Sequence, residues 1–150
     1  MHVTAGGLKH AEITDAIIRC FYDVYKELGF GFLESVYREA MIVALTEKDH
    51  DVEKERKVDV IFRGVRICLF RTDLVVDNKV VVELKSTRCL EPVHEAQLLN
   101  FLKATELEVG LLLNLGHRPQ FRRMLLDNSF KERGRSGTDD ATVVSSDPNR

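Results

Sequence analysis

Hydrophobic residues near the start of the chain recur at helical spacing. Ile13, Ile17, Phe21, Val24 and Leu28 follow one another at intervals of three or four, a stripe that predicts a helix from Glu12 to about Leu28 with Thr14 as its N-cap. Gly29 and Gly31 end it, and a second helix is expected from about Leu33 to Lys48, where Val36, Tyr37, Ala40, Met41, Val43, Ala44 and Leu45 form a broad apolar face. So short a glycine-containing turn makes the two helices neighbours. After Asp51 the period shortens towards two. Val52–Phe62 alternates imperfectly, Arg63-Gly64 has the chemistry of a hairpin tip, and Val65–Val76 and Val80–Lys85 are rich in Val, Ile and Leu with Asp77-Asn78 between them. Pro92 suits the first turn of a third helix running to about Thr105. Val109–Leu115 is a short apolar run of the kind buried on both faces of a sheet, and Phe121–Leu126 reads as a further strand or a helical turn.

Two helices, three strands in meander, a helix and one or two strands make an α/β fold with a mixed central sheet flanked by helices. The 150 residues suit one domain, here residues 11–128. Residues 1–10 read as a loose lead-in and residues 129–150, poor in apolar positions, as a disordered tail.

Composition adds little to that picture and subtracts some. The formal charge of -2 gives the chain no overall affinity for polyanions. Charge is nonetheless uneven: Arg118, Arg122, Arg123, Lys131, Arg133 and Arg135 face only Asp127 and Glu132 in the same segment. That segment is the expected contact for phosphate backbones, with a solvated basic edge as the equal alternative. Cys20, Cys68 and Cys89 are scattered and odd in number, with no CxxC pair, so they read as small apolar residues in a reducing cytoplasm. No segment is apolar enough for a signal peptide or a membrane span.

The chemistry lies between Arg71 and Lys85. A charged pair in the strand Val80-Val81-Val82-Glu83-Leu84-Lys85 is unexpected if that strand is central, because a buried carboxylate needs a partner or a metal. Asp73 is the obvious partner, provided that it shares a face with Glu83. A two-residue turn at Asp77-Asn78 would pair Val76 with Lys79 and turn Glu83 away. A three-residue loop, or a one-residue bulge, pairs Val76 with Val80 and sets Asp73 opposite Glu83. The second register places Asp73, Val75, Val81, Glu83 and Lys85 on one face and leaves the other entirely apolar, the cleaner segregation. Facing carboxylates repel, and a hard divalent ion such as Mg2+ resolves the conflict. Lys85, on the same face, could then orient or deprotonate a bound water, or stabilise charge on a phosphate. Taken alone, such a string more often marks a cross-strand salt bridge on a solvated edge. Glu34 in the second helix, on one face with Gly31 and Tyr37, and Gln97 in the third, on one face with His94 and Phe101, supply a carboxylate and an amide from flanking helices.

The string from Gly31 through Glu34 to Tyr37 resembles the signature of the GxxExxY proteins, a group within the PDDEXK nuclease-like superfamily. The likeness extends through Arg71–Val76, Val81–Lys85, Pro92–Lys103 and Gly110–Asn114, covering about residues 8–126. The resemblance implies a restriction-endonuclease-like core. It implies that Glu34, Asp73 and Glu83 bind Mg2+ or Mn2+, with the Leu84 carbonyl as a further ligand. Lys85 would be the catalytic lysine and Gln97 the glutamine of a QxxxY helix. Four positions depart from the pattern: Phe101 stands for its tyrosine, Phe30 for a proline, Tyr25 for a histidine and Thr72 for an alanine. The expected activity is metal-dependent hydrolysis of phosphodiester bonds in DNA or RNA. The alternative is a non-catalytic module, binding nucleic acid or protein, that keeps the fold. Either could act as a homo-oligomer.

Overall fold

A computed structural model describes residues 8–133. Helix α1 (Ala11–Leu28) and helix α2 (Glu34–Glu47) come first, followed by strands β1 (Val52–Lys54), β2 (Lys57–Phe62), β3 (Val65–Arg71), β4 (Leu74–Val76) and β5 (Val80–Lys85). Helix α3 (Pro92–Ala104), strands β6 (Val109–Leu115) and β7 (Pro119–Leu125) and a short helix α4 (Asn128–Arg133) complete the chain. The central sheet has five strands in the order β1-β4-β5-β6-β7. It is antiparallel except where β5 and β6 run parallel, joined by α3 as the crossover such a pair requires.

Alternation along β4, β5 and β6 divides the interior in two. Leu74, Val76, Val80, Val82, Leu84, Leu111 and Leu113 face α1 and α2, where Phe21, Tyr37, Met41 and Leu45 close the larger core. Val75, Val81 and Leu112 point the other way, against Leu98, Phe101 and Leu102 of α3. Gly110 of β6 permits that approach: a Cβ there would stand 2.9 Å from the Leu98 side chain.

The expected three-strand meander is real in its pairing but not in its shape. One register runs from Val52↔Val76 to Val60↔Cys68, carried across the junction by the Glu55 amide donating to the Asp73 carbonyl and the Thr72 amide to the Arg56 carbonyl. At Glu55, however, φ is +55°, and this left-handed residue kinks the ribbon. Its distal half, β2 and β3, leaves the central sheet as a separate hairpin. There Val58 and Phe70 pack on the α3 side, with the Phe70 and Phe101 rings 5.8 Å apart. The two long strands expected over 52–62 and 65–76 are thus each broken once.

Other boundaries shift for local reasons. Thr14 is no N-cap: α1 starts at Ala11 after His10, and Thr14 is buried within it, donating to the Ala11 carbonyl at 3.2 Å. Phe121 belongs to a strand, β7, because the Leu115–Pro119 turn pairs it with Leu113. Cys20 is buried as expected, but Cys68 and Cys89 are exposed. The expected tail boundary falls inside α4, and the remainder of that tail and residues 1–7 of the lead-in lie outside the described residues. No helix among the described residues is long and apolar enough to cross a membrane.

Candidate active site

The β4–β5 turn determines whether two carboxylates meet. Val76 pairs with Val80, with Asp77 and Asn78 both at positive φ and the Lys79 amide donating to the Val76 carbonyl at 3.0 Å. Asp and Asn tolerate that backbone because their short polar side chains bond locally. Asp77 does so, accepting the Asp51 amide at 2.9 Å and lying 2.7 Å from Nδ1 of His50. Burial works against the Asp77 charge, but these partners outweigh it and hold the carboxyl below its usual range. The loop therefore carries the extra residue, and the register is the one that sets Asp73 against Glu83.

Asp73 lies just before β4, at the kink, and its side chain is half-buried. Its Oδ2 accepts the Leu84 amide at 2.8 Å, so the carboxylate is bound directly to the neighbouring strand. Oδ1 stands 3.9 Å from Nη1 of Arg38 on α2, which also pairs with Glu55 at 3.3 Å. Glu83, on the α3-facing side of β5, retains a little exposed surface while its carboxyl is enclosed by protein. Burial, then the charge of Asp73, push that carboxyl up to about 8. The Thr72 hydroxyl, donating to Oε1 at 2.6 Å, and the nearby Lys85 ammonium act in the opposite direction. Asp73 and Glu83 therefore share a site in which two full negative charges are unfavourable unless a cation joins them.

The remaining residues singled out from the sequence are arranged less tightly. Lys85 ends β5, two residues beyond Glu83 and on the same face. Glu34 begins α2, on the opposite layer, and its exposed carboxylate reaches the end of β5 to accept the Ser86 amide at 3.4 Å. Gln97 is half-buried on α3, with no side-chain hydrogen bond to another described residue. His94 is committed to the start of α3, where its Nδ1 accepts the Glu91 amide at 3.0 Å within a reciprocal cap. Phe101 is buried against Phe70. Among the described residues no group of three or more His, Cys, Asp or Glu side chains gathers closely enough to hold a metal ion. Asp73 and Glu83 are brought together; Glu34 stands at the edge.

Three participants escaped the sequence reading. Arg38 lies one helical turn after Glu34, a spacing that placed it on the same face. Thr72 was visible only as an unusual residue beside Asp73. Asn114, wholly buried in β6, binds Thr87 by both backbone groups, donating to its carbonyl at 3.0 Å and accepting its amide at 2.9 Å. It thereby fixes the loop that follows Lys85. Within the basic segment, Arg122 pairs with Glu95 at 3.3 Å, Arg123 donates to the Lys9 carbonyl at 2.5 Å, and Lys131 donates to the carbonyls of Thr105 and Leu107. Much of that positive charge thus stabilises the fold itself, while Arg118 remains exposed.

Comparison with known proteins finds that a family model described as the PD-(D/E)XK nuclease superfamily matches residues 11–124. No curated protein matches the chain. Among solved structures, the crystal structure of SSO0001 is similar at 19% identity, over 87% of this chain and 70% of that one, with a TM-score of 0.49.

Proposed function

Since the chain belongs to the PD-(D/E)XK nuclease superfamily, we propose that it is a divalent-metal-dependent phosphodiesterase of the GxxExxY group, acting on DNA or RNA. The observation that carries this reading is the enclosed Asp73–Glu83 pair with Lys85 two residues on. The donor set fits a hard cation: two facing carboxyl groups, the Glu83 one raised by burial and by Asp73, whose mutual repulsion a divalent ion would relieve. Asp73 and Glu83 would hold Mg2+ or Mn2+, with Glu34 and the Leu84 carbonyl as further oxygens at the same end of β5. When bound, the metal supplies a Lewis acid for the phosphate and a more acidic water.

The chain's own groups do the rest. Lys85 places a positive charge on the Glu83 face, where it would bind the attacked phosphate and stabilise the charge that accumulates there. Arg38 and the Leu84 amide hold the Asp73 carboxylate in one orientation. The Thr72 hydroxyl does the same for Glu83. Gln97, unengaged by other described side chains, would orient Lys85 or the substrate from α3. The three unpaired thiols suit a reducing, cytoplasmic setting.

Incubation of purified protein with Mg2+ or Mn2+ and a panel of single- and double-stranded DNA and RNA tests the proposal. Cleavage that Glu83→Gln and Lys85→Ala both abolish is expected; no cleavage of any substrate sinks it. A second reading, a non-catalytic module, is favoured by one observation: Glu34 lies on the other layer from Glu83 and does not join it in a three-carboxylate cluster among the described residues. Calorimetry showing no heat with either metal, alongside nucleic-acid or protein binding, would favour that reading.

A further inference from the structure

A recess of about 470 Å³ begins one residue past Lys85, lined by Phe30, Ser86, Thr87, Arg88, Gly116 and His117. It lies past the C-terminal ends of the parallel strands β5 and β6, and its volume is within the roughly 300–1,000 Å³ of small-molecule sites. Ser86 joins the two places: it follows Lys85, lines the recess, and donates its amide to Glu34. Phe30 is 58% exposed, so its ring is open to a ligand entering the recess. Its ring meets that of His117 edge to face, with centroids 4.9 Å apart and planes at 70°, a contact that leaves a further face of each ring uncovered by the other.

The recess is a built feature. The Tyr25 hydroxyl lies 3.1 Å from the Gly116 carbonyl and 3.0 Å from that of His117, fixing the turn that carries the imidazole. Asn114 anchors Thr87 on the opposite wall. Gly116 lets the two walls meet, since a Cβ there would stand 1.8 Å from the Thr87 carbonyl oxygen. Cationic Arg88 lines the rim, and exposed Arg118 follows His117 in the chain.

We propose that this recess is a stacking subsite for one unpaired nucleobase of the nucleic acid whose phosphodiester enters the Asp73–Glu83–Lys85 site. Phe30 and His117 supply the ring faces, and Arg88 contacts the adjoining phosphate. The inference rests on the hydrolase reading and deepens it. A base within a duplex has both faces occupied by its neighbours, whereas a single strand or a frayed end offers a free face. The substrate class is therefore single-stranded nucleic acid, or a duplex with an unpaired end. Every base has such a face, so selection by base identity is weak.

The test measures binding separately from cleavage. Fluorescence anisotropy with Ca2+ in place of Mg2+ compares an oligothymidylate strand, the same strand with abasic residues, its matched duplex, and oligouridylate. Wild-type protein should bind either single strand better than the duplex or the abasic strand. Phe30→Ala should weaken single-strand binding by roughly tenfold, the loss of one stacking contact, and leave abasic-strand binding unchanged, while Phe30→Trp keeps wild-type affinity. Equal affinity for the thymidylate and abasic strands, equal weakening of both in Phe30→Ala, or no binding to any of them would overturn the subsite. In that case the Phe30–His117 contact is a loop latch, which a fall in melting temperature without base-dependent effects would show. Cleavage is then assayed in Mg2+ and Mn2+. Base-dependent binding without cleavage removes the hydrolase reading and keeps the subsite. Cleavage with no difference between Phe30→Ala and wild type on paired and unpaired substrates removes the subsite alone.

Discussion

The Thr72 hydroxyl donates to Oε1 of Glu83 at 2.6 Å, from a residue that is itself buried. Thr72 and Asp73 lie between the end of β3 at Arg71 and the start of β4, across the ribbon from the left-handed Glu55. A hydroxyl that favours the ionised carboxylate lowers the pH at which that carboxylate loses its proton. Thr72→Val should therefore cost more stability at pH 9 than at pH 5. At the higher pH an ionised, enclosed carboxylate has lost a donor, an effect of about 1–3 kcal/mol. Urea denaturation of the metal-free protein at the two pH values measures it, and an equal cost at both would contradict the role given to the hydroxyl.

Glu83 itself makes metal-free stability depend on pH. Its carboxyl is raised from 4.5 to about 8 by burial and by Asp73, so between those values the folded protein binds a proton that the unfolded chain does not. Stability from this group is full below pH 4.5 and is lost as pH rises towards 8, at no more than about 1.4 kcal/mol per unit. The melting temperature in EDTA should fall across that window, and Glu83→Gln should flatten the fall. An unchanged slope in the variant would show that other groups produce it.

A divalent ion competes for the same site as that proton. Mn2+ or Mg2+ should raise the melting temperature strongly at pH 8 and weakly at pH 5, with protons released on binding. Asp73→Asn should remove the metal effect at both values. Calorimetry in two buffers of different ionisation enthalpy counts the protons, and a count of zero at pH 7 would speak against displacement from Glu83.

The loop after Lys85 depends on Asn114 and Gly116. Asn114→Ala leaves both Thr87 backbone groups without their partner, and the expected cost is about 3 kcal/mol. Gly116→Ala forces a Cβ against the Thr87 carbonyl and should cost about 1–3 kcal/mol through backbone displacement. Denaturant midpoints give both figures. Variants as stable as wild type would mean that the loop is held by something else.

Local pattern made most of the elements legible. The stripe from Ile13 to Leu28, the proline at the start of α3 and the apolar run of β6 predict three elements whose limits hold to within a residue. Alternation also separated the two faces of β4 and β5, because a one-residue slip would have parted Glu83 from Asp73 and put one of the two carboxylates on the apolar face beneath α1 and α2. The sequence could thus decide between two registers without coordinates: side-chain direction in a strand has period two, and charge is expensive inside a core.

Tertiary structure alone decided where the flanking groups lie. Glu34 and Gln97 are both on helices near the site in sequence order, yet they approach the sheet from opposite layers, and nothing in helical spacing reveals the layer. The kink at Glu55 was equally invisible, since a glutamate at positive φ carries no turn signature. That kink takes the β2–β3 hairpin out of the sheet next to Thr72 and Asp73, whose side chains bond Glu83 and the Leu84 amide. Residue types, register and the acidic pair follow from the chain's own periodicity. Which helix residue meets that pair depends on distances between segments far apart in sequence, and only packing determines those.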